Sequence, residues 1–582
     1  MSRYETKFFI GFQCLAFKPA VMLTGMDRAG MWNRALLAFI AVCLAVRLWL
    51  VFTYEVNWDE FLNLSMVYDY KRGDMTEALQ TMFVHGFGWV SAVSANEVDQ
   101  VVAARVMIYI LGLGTAAFIY LISRHFMPAH AALFAVFCYA SFSFVIRQGN
   151  SLRTDTIATF LMMAALWIAT CRPPTPLRAL SGGLLVGAAG MITIKSIFYV
   201  PTLAIILLVR IWSAENRRRG WGYAVMFVAA SLCGFGLLYL LHQSTLQDPA
   251  SSLAFLDRTT GKTLVERDFG PAKGTFVKAL VENPVFWLMA GLGLIASLSG
   301  PWRTGEDRGR RVMLASFAII LGTLFTYTES HAYYYVFMLA PVAVLCGFAF
   351  PLLVQRTGWL VPIAVCAALA IGAAGHSFRA AGKSNAGQRQ TLAAIHRMFP
   401  HPVPYIDRCS MVSSYPKRGL FMSMWGMRDY YRAGKAVMRP ILENDQPRFL
   451  VANREMLDLD RLKPGEEGPS HFGLFKEDVD VLKSNYIRHW GAIYVAGKRL
   501  GLSASQPDQS FEILIAGTYT VEGPGPVLID GRTVRPGSIV ELGQGWHRLQ
   551  QAGATGLFTL RWGEKLYRPS ARAPESPLFN DF

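Results

Sequence analysis

Asn57-Trp58-Asp59-Glu60 follows directly on a long apolar stretch, so two carboxylates sit where a membrane helix would meet water. Acids at such a mouth are costly if they turn toward lipid, and they are usually paired or functional. A carboxylate there is placed to take a proton from a hydroxyl near the membrane surface, as a general base does. The plainer reading is a solvated pair of loop acids. A second run, Arg147-Gln148-Gly149-Asn150-Ser151-Leu152-Arg153-Thr154-Asp155, sets two arginines and an acid in one short stretch. Asp155 opens an apolar segment. It either suits that helix's N-terminus or belongs with Arg147 and Arg153, whose guanidinium forks fit phosphate oxygens. Lys195 closes Gly190-Met191-Ile192-Thr193-Ile194-Lys195 and is either a snorkelling lysine or a phosphate contact. Glu329-Ser330-His331-Ala332-Tyr333-Tyr334-Tyr335 precedes another apolar run. It reads as an interfacial aromatic belt, or as a pocket lining in which Glu329, His331, Tyr333 and Tyr334 take part. A lone histidine such as His85 is more often structural than chemical. Asp59, Glu60 and Asp155 are also candidates to hold a divalent ion, although hard cations need several oxygen ligands. No HExxH, P-loop or GxSxG motif accompanies these groups.

The elements that must position these residues are mostly apolar helices. Of 582 residues, 53% are hydrophobic and only 16% charged, well below the quarter usual in soluble domains. Runs long enough to span a membrane recur about eleven times. They fall near 31–52, 100–123, 129–147, 155–171, 178–194, 197–213, 221–241, 284–300, 312–328, 333–354 and 358–376, with the fifth and sixth nearly fused at Lys195. The run near Met31 is too long for a signal-peptide core and reads as a retained first span. Arginines crowd alternate loops (Arg124; Arg172 and Arg178; Arg217 to Arg219; Arg303 to Arg311; Arg356), which places the N-terminus in the cytoplasm and the tail outside. The net charge of +16 follows this pattern, and no nucleic-acid-binding motif is present. Two external loops are long, about 53–99 and 242–283. The first carries two amphipathic segments expected to lie along the membrane, Phe61 to Tyr70 and Met75 to Phe87.

The expected organisation is a short cytoplasmic segment (1–30), a helical membrane domain (31–376), an α/β region (377–505) and a β-sandwich-like domain (506–582). In the tail, Thr391 to Met398 reads as helix, and Arg448 to Ala452 and Ala492 to Val495 as buried strands. Short strands follow from Phe511 onward, with Asp530-Gly531 as a hairpin signal. Trp546 and His547 lie in a strand-like segment and are expected to pack in the core. Of eight cysteines, only Cys409 falls in the tail, which argues against a disulfide framework there.

Taken together, Trp58-Asp59-Glu60 after the first span, Arg153-Thr154-Asp155 entering the fourth, Gly190 to Lys195 before the sixth and Tyr333-Tyr334-Tyr335 leading to Pro341 resemble the membrane glycosyltransferases of the GT-C class. The branch they resemble is that of protein O-mannosyltransferases and lipid A aminoarabinose transferases. The resemblance covers roughly residues 30–376. It implies a polyprenyl-phosphate-linked sugar as donor, an envelope glycolipid, polysaccharide or protein as acceptor, and transfer with inversion outside a bacterial inner membrane. It implies Asp59 as base or acceptor-positioning group, Glu60 as its neighbour, Asp155 as a second acid near the sugar, and Lys195 with Arg153 at the donor phosphate. The sequence departs from the pattern at His85-Gly86-Phe87-Gly88-Trp89, which keeps a histidine but lacks the prolines common there. The tail is not the repeated trefoil module of eukaryotic protein mannosyltransferases.

Two other classes fit many spans with external cations. A transporter or flippase of a lipid-linked glycan predicts charged or broken helices at mid-membrane and internal repeats, whereas the charges here cluster at span ends. A non-catalytic carbohydrate-binding scaffold predicts that Asp59 is dispensable.

Overall fold

In the computed structural model, residues 19–247, 273–299, 305–327, 329–462 and 473–579 are described. Among the described residues, eight helices are long and apolar enough to cross a membrane: Ala29–Thr53, Glu97–Phe126, Thr154–Cys171, Ile194–Trp212, Arg217–Gln243, Asp307–Thr326, Tyr334–Thr357 and Leu360–Ala381. A ninth arises if Gly274–Glu282 and Pro284–Leu298, bent by 84° at Asn283, are one broken span. The described residues therefore do not confirm the expected count of eleven. The stretches 129–147 and 178–194 form shorter apolar helices, Ala129–Ala140 and Pro176–Ile192. The first stops because the chain turns at Ser141-Phe142 and restarts as Ser143–Gln148. Asn283 braces that turn by accepting from the Ser143 amide at 2.8 Å. The break near Lys195 is real: Thr193 is extended, and its hydroxyl accepts from the Lys195 amide.

Tyr334–Thr357 is the central helix, with 78% of its apolar window buried, against 22% for Arg217–Gln243 at the periphery. Close backbone approach builds the bundle. A Cβ at Gly293 would lie 1.9 Å from the Leu345 carbonyl, so only glycine lets Pro284–Leu298 seat on the central helix.

The helix expected over Phe61 to Tyr70 is Trp58–Arg72, opened by a capping box on Asn57 and Glu60 and closed by left-handed Gly73. Its apolar side chains Phe61, Leu64 and Val67 are buried in protein, so it packs against the bundle and not along lipid; the second amphipathic segment differs in being largely non-helical. Only Val84–Phe87 is α-helical, with a 3-10 turn after it, and Gln80 takes a positive φ of 65°. Its apolar side chains Met75, Ala78 and Phe83 are buried in protein. The stretch therefore folds against the bundle and not along lipid.

The tail holds β1 (Tyr405–Ile406), β2 (Lys417–Arg418), β3 (Phe449–Val451), β4 (Tyr486–Trp490), β5 (Ile493–Leu502), β6 (Asp508–Ile513), β7 (Gly517–Glu522), β8 (Val527–Ile529), β9 (Arg532–Val534), β10 (Ile539–Leu542), β11 (Gly545–Gln551) and β12 (Gly556–Trp562). One sheet runs β10-β7-β12-β5-β3-β1-β2, with β4 also on β5; the second runs β6-β11-β8-β9. The ten-residue β5 pairs through its first half with β3 and through its second with β12, joining strands from both tail regions in one sheet. The two sheets enclose Phe511, Tyr519, Val521, Leu549, Phe558 and Leu560. Asp530 and Gly531 both have positive φ and close the β8–β9 hairpin. Contrary to expectation, Trp546 is 72% exposed, because β11 turns it to the outer face, while the half-buried His547 bonds Asp530.

The tail is tied to the first loop. Gln388 bonds both the amide and the carbonyl of Val56 at 2.8 Å, and the Ser413 hydroxyl donates to the Phe61 carbonyl. The buried Glu97 accepts from Ser414 and bonds His396 at 2.9 Å.

Candidate active site

Asp59 and Asp155 occupy equivalent places. Each is the second residue of its helix, Trp58–Arg72 or Thr154–Cys171. Exposed backbone amides and the helix dipole favour a negative charge there. The cap residue of the second helix, Arg153, makes no side-chain cap bond, and the Asp155 carboxylate turns to Arg153 and Lys195.

Both acids converge on Arg153, the residue preceding the second helix. Its guanidinium is ion-paired with Asp59, and its Nε lies 3.5 Å from Asp155. The other Asp155 oxygen receives Lys195 Nζ at 2.6 Å. The result is an alternating row, Asp59–Arg153–Asp155–Lys195. Tyr333 lies along it, with its ring centroid 3.4 Å from the Arg153 guanidinium carbon and 4.7 Å from Lys195 Nζ. The row is neutral in sum and only partly screened: side-chain exposure runs from 3% at Asp155 to 16% at Asp59. Burial alone would lower the pKa of Arg153, but Asp59 foremost among its neighbours, with Asp155, outweighs that and holds it above the ordinary value. Burial pushes the Tyr333 phenol well up, so it stays protonated. Glu329 and His331, 3.2 Å apart, border Tyr333, the histidine ring 5.8 Å from the tyrosine ring.

Four other sequence candidates stand elsewhere. Glu60 points inward and is fully buried. It accepts from Arg105 twice (2.8 and 2.5 Å), from the Asn57 amide (2.9 Å) and from the Leu152 amide (2.7 Å). Four donors fill its oxygens, leaving it no capacity for a substrate proton. Arg147 pairs with Glu282 at 2.6 Å. His85 faces His242, ring nitrogens 2.8 Å apart, with Thr81 completing the group. Tyr334 is a core residue whose hydroxyl bonds Thr323.

Two arginines inside the apolar helices went unnoticed in the sequence. Arg105 bonds Glu60 and the carbonyls of Tyr54 and Glu55. Arg47 is held by Gly149 and Asn150, so it pins the loop that carries Arg153. Each is a lone charge inside an apolar run, which was the available signal. Arg408, from the tail, lies over the Trp58 ring at 5.3 Å. Nothing in its sequence surroundings marks it.

The three carboxylates do not converge: Asp59 and Asp155 face Arg153 and Lys195, Glu60 turns away to Arg105, and among the described residues no group of three or more His, Cys, Asp or Glu side chains is placed to hold a metal ion.

No protein-family model matches the chain, and no curated protein matches it in sequence. Among solved structures it is similar to ArnT from Cupriavidus metallidurans bound to undecaprenyl phosphate (TM-score 0.49, 14% identity, 72% of this chain and 93% of that one). It is also similar to the oligosaccharyltransferase AglB from Archaeoglobus fulgidus in complex with an inhibitory peptide and a dolichol-phosphate (0.49, 11%, 88% and 76%). A third is the arabinofuranosyltransferase AftD from Mycobacteria (0.45, 12%, 84% and 41%).

Proposed function

We propose that this protein is an integral membrane glycosyltransferase of the GT-C type. It would move a monosaccharide from a polyprenyl-phosphate donor to a glycolipid, polysaccharide or protein of the envelope. The row Asp59–Arg153–Asp155–Lys195 carries this reading. A carboxylate at one end suits a hydroxyl acceptor, and a cation at the other suits a phosphate leaving group.

In the proposed reaction the acceptor oxygen bonds to the anomeric carbon as the bond from that carbon to the phosphate oxygen breaks. The acceptor proton passes to Asp59. The bonding pair leaves with the polyprenyl phosphate, and the charge growing there is met by Lys195 and Arg153. Attack opposite the leaving group inverts the anomeric centre. Arg153 also orients Asp59, and Asp155 holds both cations until the phosphate competes for them. Glu60 is a positioning residue: it ties the Asp59 helix to the Leu152 backbone and Arg105. Glu329, His331 and the Tyr333 ring border the space where the sugar would sit. The same reading places the protein in a bacterial inner membrane, with the tail and this row on the extracytoplasmic side.

The test is genetic and chemical. The gene is deleted in its host and restored as wild type or as Asp59→Asn at equal protein level, and envelope glycolipids and glycans are compared by mass spectrometry. The expected result is one monosaccharide increment that disappears on deletion, returns with wild type and stays absent with Asp59→Asn. Its mass also separates hexosyl from pentosyl transfer. Full restoration by Asp59→Asn would overturn the assignment.

A further inference from the structure

The helix that carries Asp59 is held from two sides. On one side lies the loop before Arg153. Leu152 is bonded to the helix through both of its backbone groups: Glu60 accepts from its amide at 2.7 Å, and the Asn63 side chain donates to its carbonyl at 2.8 Å. On the other side lies the tail. The Arg408 guanidinium carbon stands 5.3 Å from the centroid of the half-buried Trp58 ring, and the Ser413 hydroxyl donates to the Phe61 carbonyl at 2.9 Å. Phe579 meets the Phe61 ring edge-on, centroids 5.8 Å apart. Trp58 and Phe61 are one helical turn apart and bracket Asp59 and Glu60, so the tail contacts fall on the first turn.

The tail segment that makes these contacts has a fixed backbone. Asp407 is fully buried and accepts from the Ser410 amide at 2.8 Å, the Met411 amide at 2.6 Å and the Asn453 side chain at 3.0 Å. Asn453 in turn accepts from the Arg408 amide at 3.2 Å. Ser410 takes a left-handed φ of 60°, which a residue other than glycine keeps only where its surroundings impose it. The Arg408 side chain is steered by its Nε, which donates to the Met422 carbonyl at 2.9 Å. The guanidinium thus reaches Trp58 from a turn that Asp407 organises, and a cation over a partly desolvated indole face is attracted to it. Without this contact the helix keeps its Asn57 cap and its Glu60 anchor, but the residue beside Asp59 loses its hold on the tail.

We infer that Arg408 is a positioning residue for the proposed transfer: through the Trp58 ring it holds the first turn of Trp58–Arg72 so that the Asp59 carboxylate stays against Arg153 and faces the acceptor. It acts from the tail and through another side chain, so the tail shapes the site at Asp59. This inference rests on the proposed role of Asp59.

Two measurements on the full-length protein in detergent test it. Hydrogen–deuterium exchange needs no sugar donor. Arg408→Ala is expected to speed amide exchange in the first turn of Trp58–Arg72 by about five- to tenfold, the size of a partly desolvated cation–π contact, and to leave Thr154–Cys171 unchanged. The second is the initial rate at which the monosaccharide increment forms when purified protein is added to detergent-treated membranes of the deletion strain, which supply donor and acceptor. Arg408→Ala is expected to lower that rate about ten- to a hundredfold, because a small misplacement of a reacting group costs that much. Arg408→Lys keeps a cation for the ring but not the Nε bond to Met422, and is expected to bring the rate back to within about threefold of wild type. Trp58→Leu is expected to match Arg408→Ala, and the double variant to be no slower than either single one, since both remove the same contact. Unchanged exchange in Arg408→Ala would overturn the inference whatever the reaction. Failure of Arg408→Lys to restore the rate would also overturn it, by returning the arginine to a structural role inside the tail. Asp59→Asn is assayed beside them. A wild-type rate in Arg408→Ala where Asp59→Asn is inactive overturns the Arg408 inference alone, whereas full activity of Asp59→Asn overturns the role of Asp59 and this inference with it.

Discussion

Asp59 and Glu60 are neighbours in the chain and belong to different worlds in the fold. Glu60 faces the interior, is fully buried and spends both oxygens on four donors from three elements. Asp59 faces a partly open row of alternating charges and is ion-paired with one arginine. A capping box makes the difference: once Glu60 reaches back to the Asn57 amide, the helix phase turns Asp59 to the other side. A carboxylate saturated by donors is a lock. One that keeps a face open is a reagent.

The widest separation between the two comes from Asp59→Asn. Transfer of sugar is expected to fall about 10²–10⁴-fold, the usual cost of losing a general base, while the melting temperature in detergent stays near that of wild type. A large loss of stability with little loss of turnover would reverse the two roles. Arg105→Ala probes the lock itself. It leaves Glu60 charged and buried without its main partner, at a cost of about 3–5 kcal/mol, which thermal unfolding reads directly. Little change would mean that Glu60 is not held by this pair. Lys195→Gln should remove a charge-assisted contact worth about 1.5–3 kcal/mol, seen as a lower turnover in steady-state kinetics with purified donor, with stability little changed. The smallest expected effect is at Tyr333. Tyr333→Phe keeps the ring over Arg153 and Lys195 and should be close to wild type, whereas Tyr333→Ala should cost about 0.5–2 kcal/mol in transfer rate. Equal behaviour of the two variants would show that the ring does not hold the cations in line.

Much of the row was readable because charge at the mouth of an apolar span is expensive and so stands out. Asp59 stands out that way, Arg153 and Asp155 as charges gathered in one short stretch, and Lys195 by its place after an apolar run and in the resembling motif; the structure brings the four together. The same argument, applied inside the spans, would have found Arg105 and Arg47. Both sit in apolar runs, where a charge has to be paired. Arg147 and Arg153 are six residues apart in one loop and looked alike in sequence, yet one joins Glu282 and the other Asp59. Met75 to Phe87 has amphipathic spacing and still folds into the protein, because periodicity reports which residues are apolar and not whether lipid or protein will cover them.

The sequence by itself determined the apolar helices and most tail strands, as well as the four charges of the row. These depend on local composition, on periods of 3.6 and 2, and on the cost of charge in an apolar setting. Only the tertiary structure decided that, among the described residues, eight helices, or nine with the bent pair, have spanning length, and that β5 joins strands from both tail regions in one sheet. It also decided that Glu60 is locked while Asp59 stays open, and that Arg147 leaves the row to pair with Glu282. Each of those outcomes turns on which distant segment arrives opposite a given side chain. That pairing is set by packing between residues 40 to 138 positions apart in the chain, a separation over which no local pattern carries information.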